Sequence, residues 1–219
     1  MRMKTRLGWA FAGFVLSILS VESLFAAVPV GCQPGSGRIC LAVKTVVFLM
    51  DAGIPVLSQN DAENNILRAN ELWAQCGIGF RLEVYLQVHP REVGLPARPA
   101  SFQDMNQVRA TFQDSRRLLI ATTEVFDRTG PLSAPESVQA CGWTAMPRNP
   151  PYGVVIESLC GFLSPVVAHE LGHFLGLVHD SDPHNIMNPR ATDSSTVLSP
   201  LQCARARQTA SESWRMMER

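Results

Sequence analysis

What this 219-residue chain lacks narrows its reading first. It carries no net charge, since Lys+Arg and Asp+Glu both number 19. A nucleic-acid or anionic-membrane partner calls for a basic surplus, so neither is implied. No C-x-x-C pair occurs, which argues against a cysteine-built zinc site. No second apolar run follows the one at the N-terminus, so no membrane anchor is expected in the mature chain. No internal repeat and no linker-like stretch is visible, so a single domain is expected, and the length suffices for one full core.

The N-terminus is the exception to this even composition. Arg2, Lys4 and Arg6 precede the apolar run Leu7 to Leu19, in which only Ser17 is polar, and Ser23-Leu24-Phe25-Ala26-Ala27 ends in small residues. This is the pattern of a secretory signal peptide, and the run is shorter than the ~20 residues a membrane span needs. Residues 1–27 are therefore expected to be a signal peptide and residues 28–219 a single domain, secreted or periplasmic. Removing residues 1–26 takes away three basic residues and Glu22 and leaves a net charge of −2.

All six cysteines lie beyond that segment: Cys32, Cys40, Cys76, Cys141, Cys160 and Cys203. An even count in an exported chain favours disulfides, although six cysteines allow 15 pairings. Local closure suggests Cys32–Cys40. Cys160 and Cys203 flank two late helices and are expected to tie them together, which leaves Cys76–Cys141.

Hydrophobic periodicity orders the elements between. Leu41 to Met50 is apolar on both faces, as in a buried strand. Asn60-x-x-Glu63 resembles a capping box, and positions 62, 66, 69, 73 and 76 follow helical spacing up to Gly77. Residues 78–88 alternate, as a half-buried edge strand does. Ser101-x-x-Asp104 caps a short helix with Phe102, Met105, Val108 and Phe112 expected inward. Strands are expected at 117–122, 141–145 and 152–157, and Ser199-Pro200 opens a last helix whose Arg205 and Arg207 form a solvated face. The order is that of an α/β protein.

The chemistry concentrates in His169-Glu170-Leu171-Gly172-His173-Phe174-Leu175-Gly176-Leu177-Val178-His179, which reads H-E-x-x-H-x-x-G-x-x-H. On a helix opened by Ser164-Pro165, His169 and His173 project from one face and can hold one Zn²⁺. Continued helix would carry His179 away, so the chain must turn, and Gly176 is where it can. Glu170 stands beside the pair as a proton acceptor.

This motif resembles the zinc signature of the metzincin metallopeptidases. Met187, in His184-Asn185-Ile186-Met187-Asn188-Pro189, fits the methionine turn of that family. Its short spacing from His179 looks matrixin-like, while Asp180 after the third histidine looks reprolysin-like. Pro189 stands where astacin-like members carry tyrosine, so no tyrosyl ligand is expected. The resemblance implies a twisted, mostly parallel five-stranded sheet with one antiparallel edge strand, a zinc-binding active-site helix and a C-terminal helix. It implies a zinc endopeptidase acting on peptide or protein substrates through a zinc-activated water. Glu170 would be the general base, and His169, His173 and His179 the ligands. Asn188, Pro189 and Arg190 would line the substrate pocket, and a monomer is expected. The alternative is a zinc-containing peptide- or protein-binding module without turnover. Glu170 argues against it, because a structural zinc site needs no such carboxylate.

Overall fold

The computed structural model of the chain describes residues 30–33, 35–133, 141–146, 150–161 and 164–217. The expected signal peptide lies outside the described residues. Among those residues no helix is long and apolar enough to cross a membrane.

The strands are β1 (Val30–Gly31), β2 (Ile39–Phe48), β3 (Ile78–Val88), β4 (Leu118–Thr123), β5 (Gly142–Ala145) and β6 (Gly153–Glu157). They form one sheet in the order β1-β3-β2-β4-β6-β5. β3, β2, β4 and β6 are parallel neighbours, and β5 runs antiparallel to β6 at the edge. This is the expected five-stranded arrangement. The two-residue β1 adds to it, pairing antiparallel with β3 at Arg81 and Leu82.

Parallel strands need both faces covered, and the helices divide accordingly. They are α1 (Gln59–Trp73), α2 (Phe102–Phe112), α3 (Ser158–Gly161), α4 (Ser164–Phe174) and α5 (Pro200–Met217). Leu118 and Ile120 of β4 face a core shared with Ile66 and Trp73 of α1, Leu171 and Phe174 of α4, and Ala206 of α5. The alternate residues, Leu119 and Ala121, pack with Met105, Val108 and Phe112 of α2 on the opposite face. The two-residue period of β4 thus feeds two cores, which is why its sequence reads as continuously apolar. Trp73 is fully buried, and its Nε1 donates to Ala168 O at 3.1 Å, pinning α1 to α4.

Four expectations need correction. The cap of α1 is Ser58, not Asn60: Ser58 Oγ accepts from Asp61 N and donates to Asp61 Oδ2. Leu57 and Ala62 pack together across that cap as a hydrophobic staple, which fixes the helix start two residues earlier. Phe102 is exposed rather than inward, with its ring edge-on to Trp143. Arg207 is not merely solvated, because Nη1 donates to Cys76 O and Gly77 O.

The fourth correction concerns the disulfides. Cys32–Cys40 is as expected, but the other pairs are Cys76–Cys203 and Cys141–Cys160, with Cα separations of 4.8 and 5.7 Å. Cys160–Cys203 and Cys76–Cys141 do not form. α5 lies on the sheet face that holds the end of α1, which brings Cys203 to Cys76. The antiparallel pairing of β5 with β6 brings Cys141 back to Cys160, just after β6.

Candidate active site

Helix α4 buries Val167, Ala168, Leu171 and Phe174 against the sheet, which leaves its other side for the histidines. The helix closes in a Schellman arrangement. Gly176 N donates to His173 O at 2.9 Å and Leu177 N to Gly172 O at 3.0 Å. Gly176 has φ +81°, a conformation that a side chain disfavours. The chain doubles back there, and His179 returns to the other two imidazoles.

His173 Nε2 lies 3.0 Å from His169 Nε2 and 3.1 Å from His179 Nε2. Each of the first two rings is set by its far nitrogen: His169 Nδ1 donates to Ile186 O at 2.8 Å, and His173 Nδ1 to Leu177 O at 2.9 Å. A carbonyl only accepts, so these Nδ1 atoms carry the protons and the Nε2 atoms present lone pairs. The two lone pairs of His169 and His173, 3.0 Å apart, repel unless a cation stands between them, and the Nε2 of His179 faces the same point. Two nitrogens at ~2.0–2.1 Å from a tetrahedral zinc would be roughly 3.3 Å apart, close to the spacing seen. The residues present therefore fit a metal ion, and their ligand atoms all lie within 4.8 Å of one another. Burial, then the neighbouring His173, lowers the His169 pKa to about 4. Burial also lowers His173 and His179. All three are held in the neutral form that metal binding needs.

Glu170 is buried, and Oε2 accepts from Thr144 Oγ1 of the edge strand at 2.6 Å. Burial raises its pKa to about 7, while the Thr144 hydrogen bond and the charge of Arg109 oppose the rise. Strand β5 approaches so closely at Gly142 that a Cβ there would stand 2.9 Å from Glu170 Cδ. Arg109, buried on α2, reaches through from the opposite layer. Its Nε donates to Gly153 O at 3.0 Å and its Nη2 to Trp143 O at 2.5 Å, so it fastens the edge strand.

Below the histidines lies the turn around Met187. Met187 is fully buried, and a Cβ on Gly172 would overlap its Sδ, so α4 carries glycine where the methionine passes. Asp180 N donates to Met187 O at 2.9 Å, which ties the third histidine's loop to this turn. Asn188 braces it by donating from Nδ2 to the carbonyls of Asp180, Ser181 and Asp182. Pro189 and Arg190 are exposed, and so is His184, which lies outside the histidine cluster.

A second group, Cys141, Glu157 and Cys160, also lies within ligand distance. Its atoms are already engaged: the cysteines form a disulfide, and Glu157 accepts from Arg128 at 2.7 and 2.8 Å and from Phe126 N.

Sequence reasoning missed Thr144, Gly142, Gly172 and Arg109. A glycine within a strand pattern signals close backbone approach, so Gly142 was findable. Nothing marked Thr144 or Arg109, since their partners come from distant segments.

The fold, the three imidazoles and the methionine turn agree with what the motif's resemblance to the metzincin metallopeptidases implies. The family model described as Matrixin matches residues 107–202, from α2 to the start of α5, which is less than half of the chain. No curated protein sequence matches the chain. Among solved structures, metalloproteinase-II from Bacteroides fragilis is similar, with 13% sequence identity and a TM-score of 0.53. The match covers 86% of this chain and 58% of that one, so the chain spans little more than half of that protein's length. A chain of a chaperone–substrate complex matches with 11% identity and a TM-score of 0.52, over 82% of this chain and 35% of that one. Archaemetzincin from Methanopyrus kandleri aligns over 86% of this chain and 100% of its own, with 15% identity and a TM-score of 0.43.

Proposed function

We propose that the protein is an exported zinc endopeptidase, a single catalytic domain, with His169, His173 and His179 as metal ligands and Glu170 as general base. The observation that carries the reading is one juxtaposition. Three imidazole Nε2 atoms converge next to a buried carboxylate that takes no part in their cluster. A purely structural zinc site needs a fourth protein ligand and no such base.

Zinc, when bound, supplies Lewis acidity that lowers the pKa of water towards 7 and favours negative charge on the scissile oxygen. The chain's own residues do the rest. Glu170 takes the proton of the attacking water and returns it to the leaving amine. A pKa of about 7 suits it to both directions of transfer near neutral pH. Thr144 fixes the carboxylate through Oε2 and leaves Oε1 for the water. The outer side of β5 carries no strand among the described residues, so an extended substrate can add there by backbone hydrogen bonds.

The test compares hydrolysis of a protein substrate by the zinc-loaded chain with hydrolysis after chelation and after zinc is restored. Activity lost and regained supports the reading. Activity indifferent to the chelator overturns it.

A further inference from the structure

Two of the most exposed apolar side chains among the described residues, Leu201 at 80% and Val178 at 72%, line one cavity. Met146, 41% exposed, lines it too, as does His179. The cavity has a volume of about 740 Å³ and lies between α5 and the loop that returns His179 to the histidine cluster. Side chains this apolar are rarely left together in water without a use. A volume of this size is that of a small-ligand or peptide pocket, not of a packing defect.

The position of the cavity says what would fill it. His179 belongs to the histidine cluster as well, so the cavity borders the cluster on the His179 side. Met146 directly follows β5, two residues beyond Thr144, which holds Glu170. Two residues of strand span about 7 Å. A peptide added antiparallel to β5 runs N to C from the Met146 end towards the Cys141 end. The residues that pass Met146 are then those N-terminal to the bond placed beside Glu170.

Resting on the peptidase reading, we propose that this cavity is a substrate subsite. It would take a large apolar side chain two or three residues N-terminal to the scissile bond, with Leu201 and Val178 setting the preference. The C-terminal helix would then be part of the specificity apparatus as well as a cover for the core. Gln202, Arg205, Gln208, Thr209 and Glu212 give the α5 wall of the cavity a polar part, so its apolar side is the one that Leu201 and Val178 present. A substrate residue that is short or polar gains nothing from that side.

The experiment is a cleavage profile on a peptide library with the zinc-loaded full chain, repeated for Leu201→Glu and Val178→Thr. Both positions are exposed, so the substitutions disturb no core. The readout is the ratio of kcat/KM for peptides with Leu or Phe against Gly or Ser at the second and third residues before the cut. A fold defect would lower both members of that ratio and leave it unchanged. The wild type is expected to favour the apolar residues by at least about tenfold. Leu201→Glu should bring the ratio close to one and turn the preference towards Lys and Arg. A wild type that cleaves without this preference, or a preference that survives in both variants, overturns the subsite and leaves the peptidase reading standing. A preference unmoved by Leu201→Glu while a dimer dissociates would assign the patch to a second copy of the chain and overturn it equally. A zinc-loaded wild type that cleaves no peptide overturns both readings.

Discussion

Single atoms carry much of this account, and Glu170 is the one most exposed to test. Burial raises its carboxyl from 4.5 to about 7. In the metal-free protein the unfolded chain loses that proton near pH 4.5, whereas the folded state keeps it until about 7. Glu170 therefore costs no stability below the unfolded value; its cost grows as pH rises from about 4.5 to about 7 and is constant above. Replacement by Gln removes the cost. Urea unfolding of metal-free Glu170→Gln should track wild type at pH 4 and exceed it at pH 8 by about 3 kcal/mol. Parallel curves at both pH values would contradict the buried acid. The ligand choice is a second residue-scale prediction. His179→Ala should abolish tight zinc binding in a competition titration, while His184→Ala, exposed and outside the cluster, should leave it intact. Zinc affinity lost in His184→Ala would reverse the assignment.

At the scale of the element, the zinc helix and the edge strand depend on two glycines that no side chain can replace cheaply. A Cβ on Gly172 overlaps Met187 Sδ and approaches Trp73. Gly172→Ala should destabilise the fold by about 1–3 kcal/mol, as overpacking in a core does, and thermal denaturation reads it. No loss of stability would mean that the methionine moves freely. A Cβ on Gly142 meets the Glu170 carboxylate instead, so Gly142→Ala should lower kcat while zinc stoichiometry stays whole. Elements of this kind were largely legible in the sequence. The H-E-x-x-H-x-x-G-x-x-H spacing placed the helix, its turn at Gly176 and the returning imidazole, because those depend on residues near one another in the chain. The alternation over 78–88 and the two-sided apolar run of β2 placed their strands for the same reason. The start of α1 was misplaced because two cap patterns overlap there, and only the packing of Leu57 on Ala62 selects Ser58. Thr144 and Arg109 were not legible, since each acts on a residue that the sheet brings to it from elsewhere.

The whole molecule is closed by its disulfides, whose connectivity depends on which helices share a sheet face and which strands pair. Cys76–Cys203 joins residues 127 apart in sequence. A loop of that length restricts the unfolded chain strongly, so Cys76→Ser with Cys203→Ser should cost roughly 4–5 kcal/mol by the loop-entropy estimate. Denaturant midpoints measured without reductant check this, and an unchanged midpoint would remove the pair from the account. Cys141–Cys160 instead sits where β5 meets the segment leading into α4, beside Gly142 and Glu170, so its loss should raise KM before it unfolds the domain. All of these features converge on the centre we propose, a metal held by three imidazoles with a separate carboxylate as base. The measurement that tests it most directly is made on purified Glu170→Gln: bound zinc per chain together with peptide hydrolysis, each against wild type. The account predicts one zinc per chain in both proteins and hydrolysis lower by at least about 10²-fold in the variant. Hydrolysis at the wild-type rate, or zinc lost along with the activity, would contradict it.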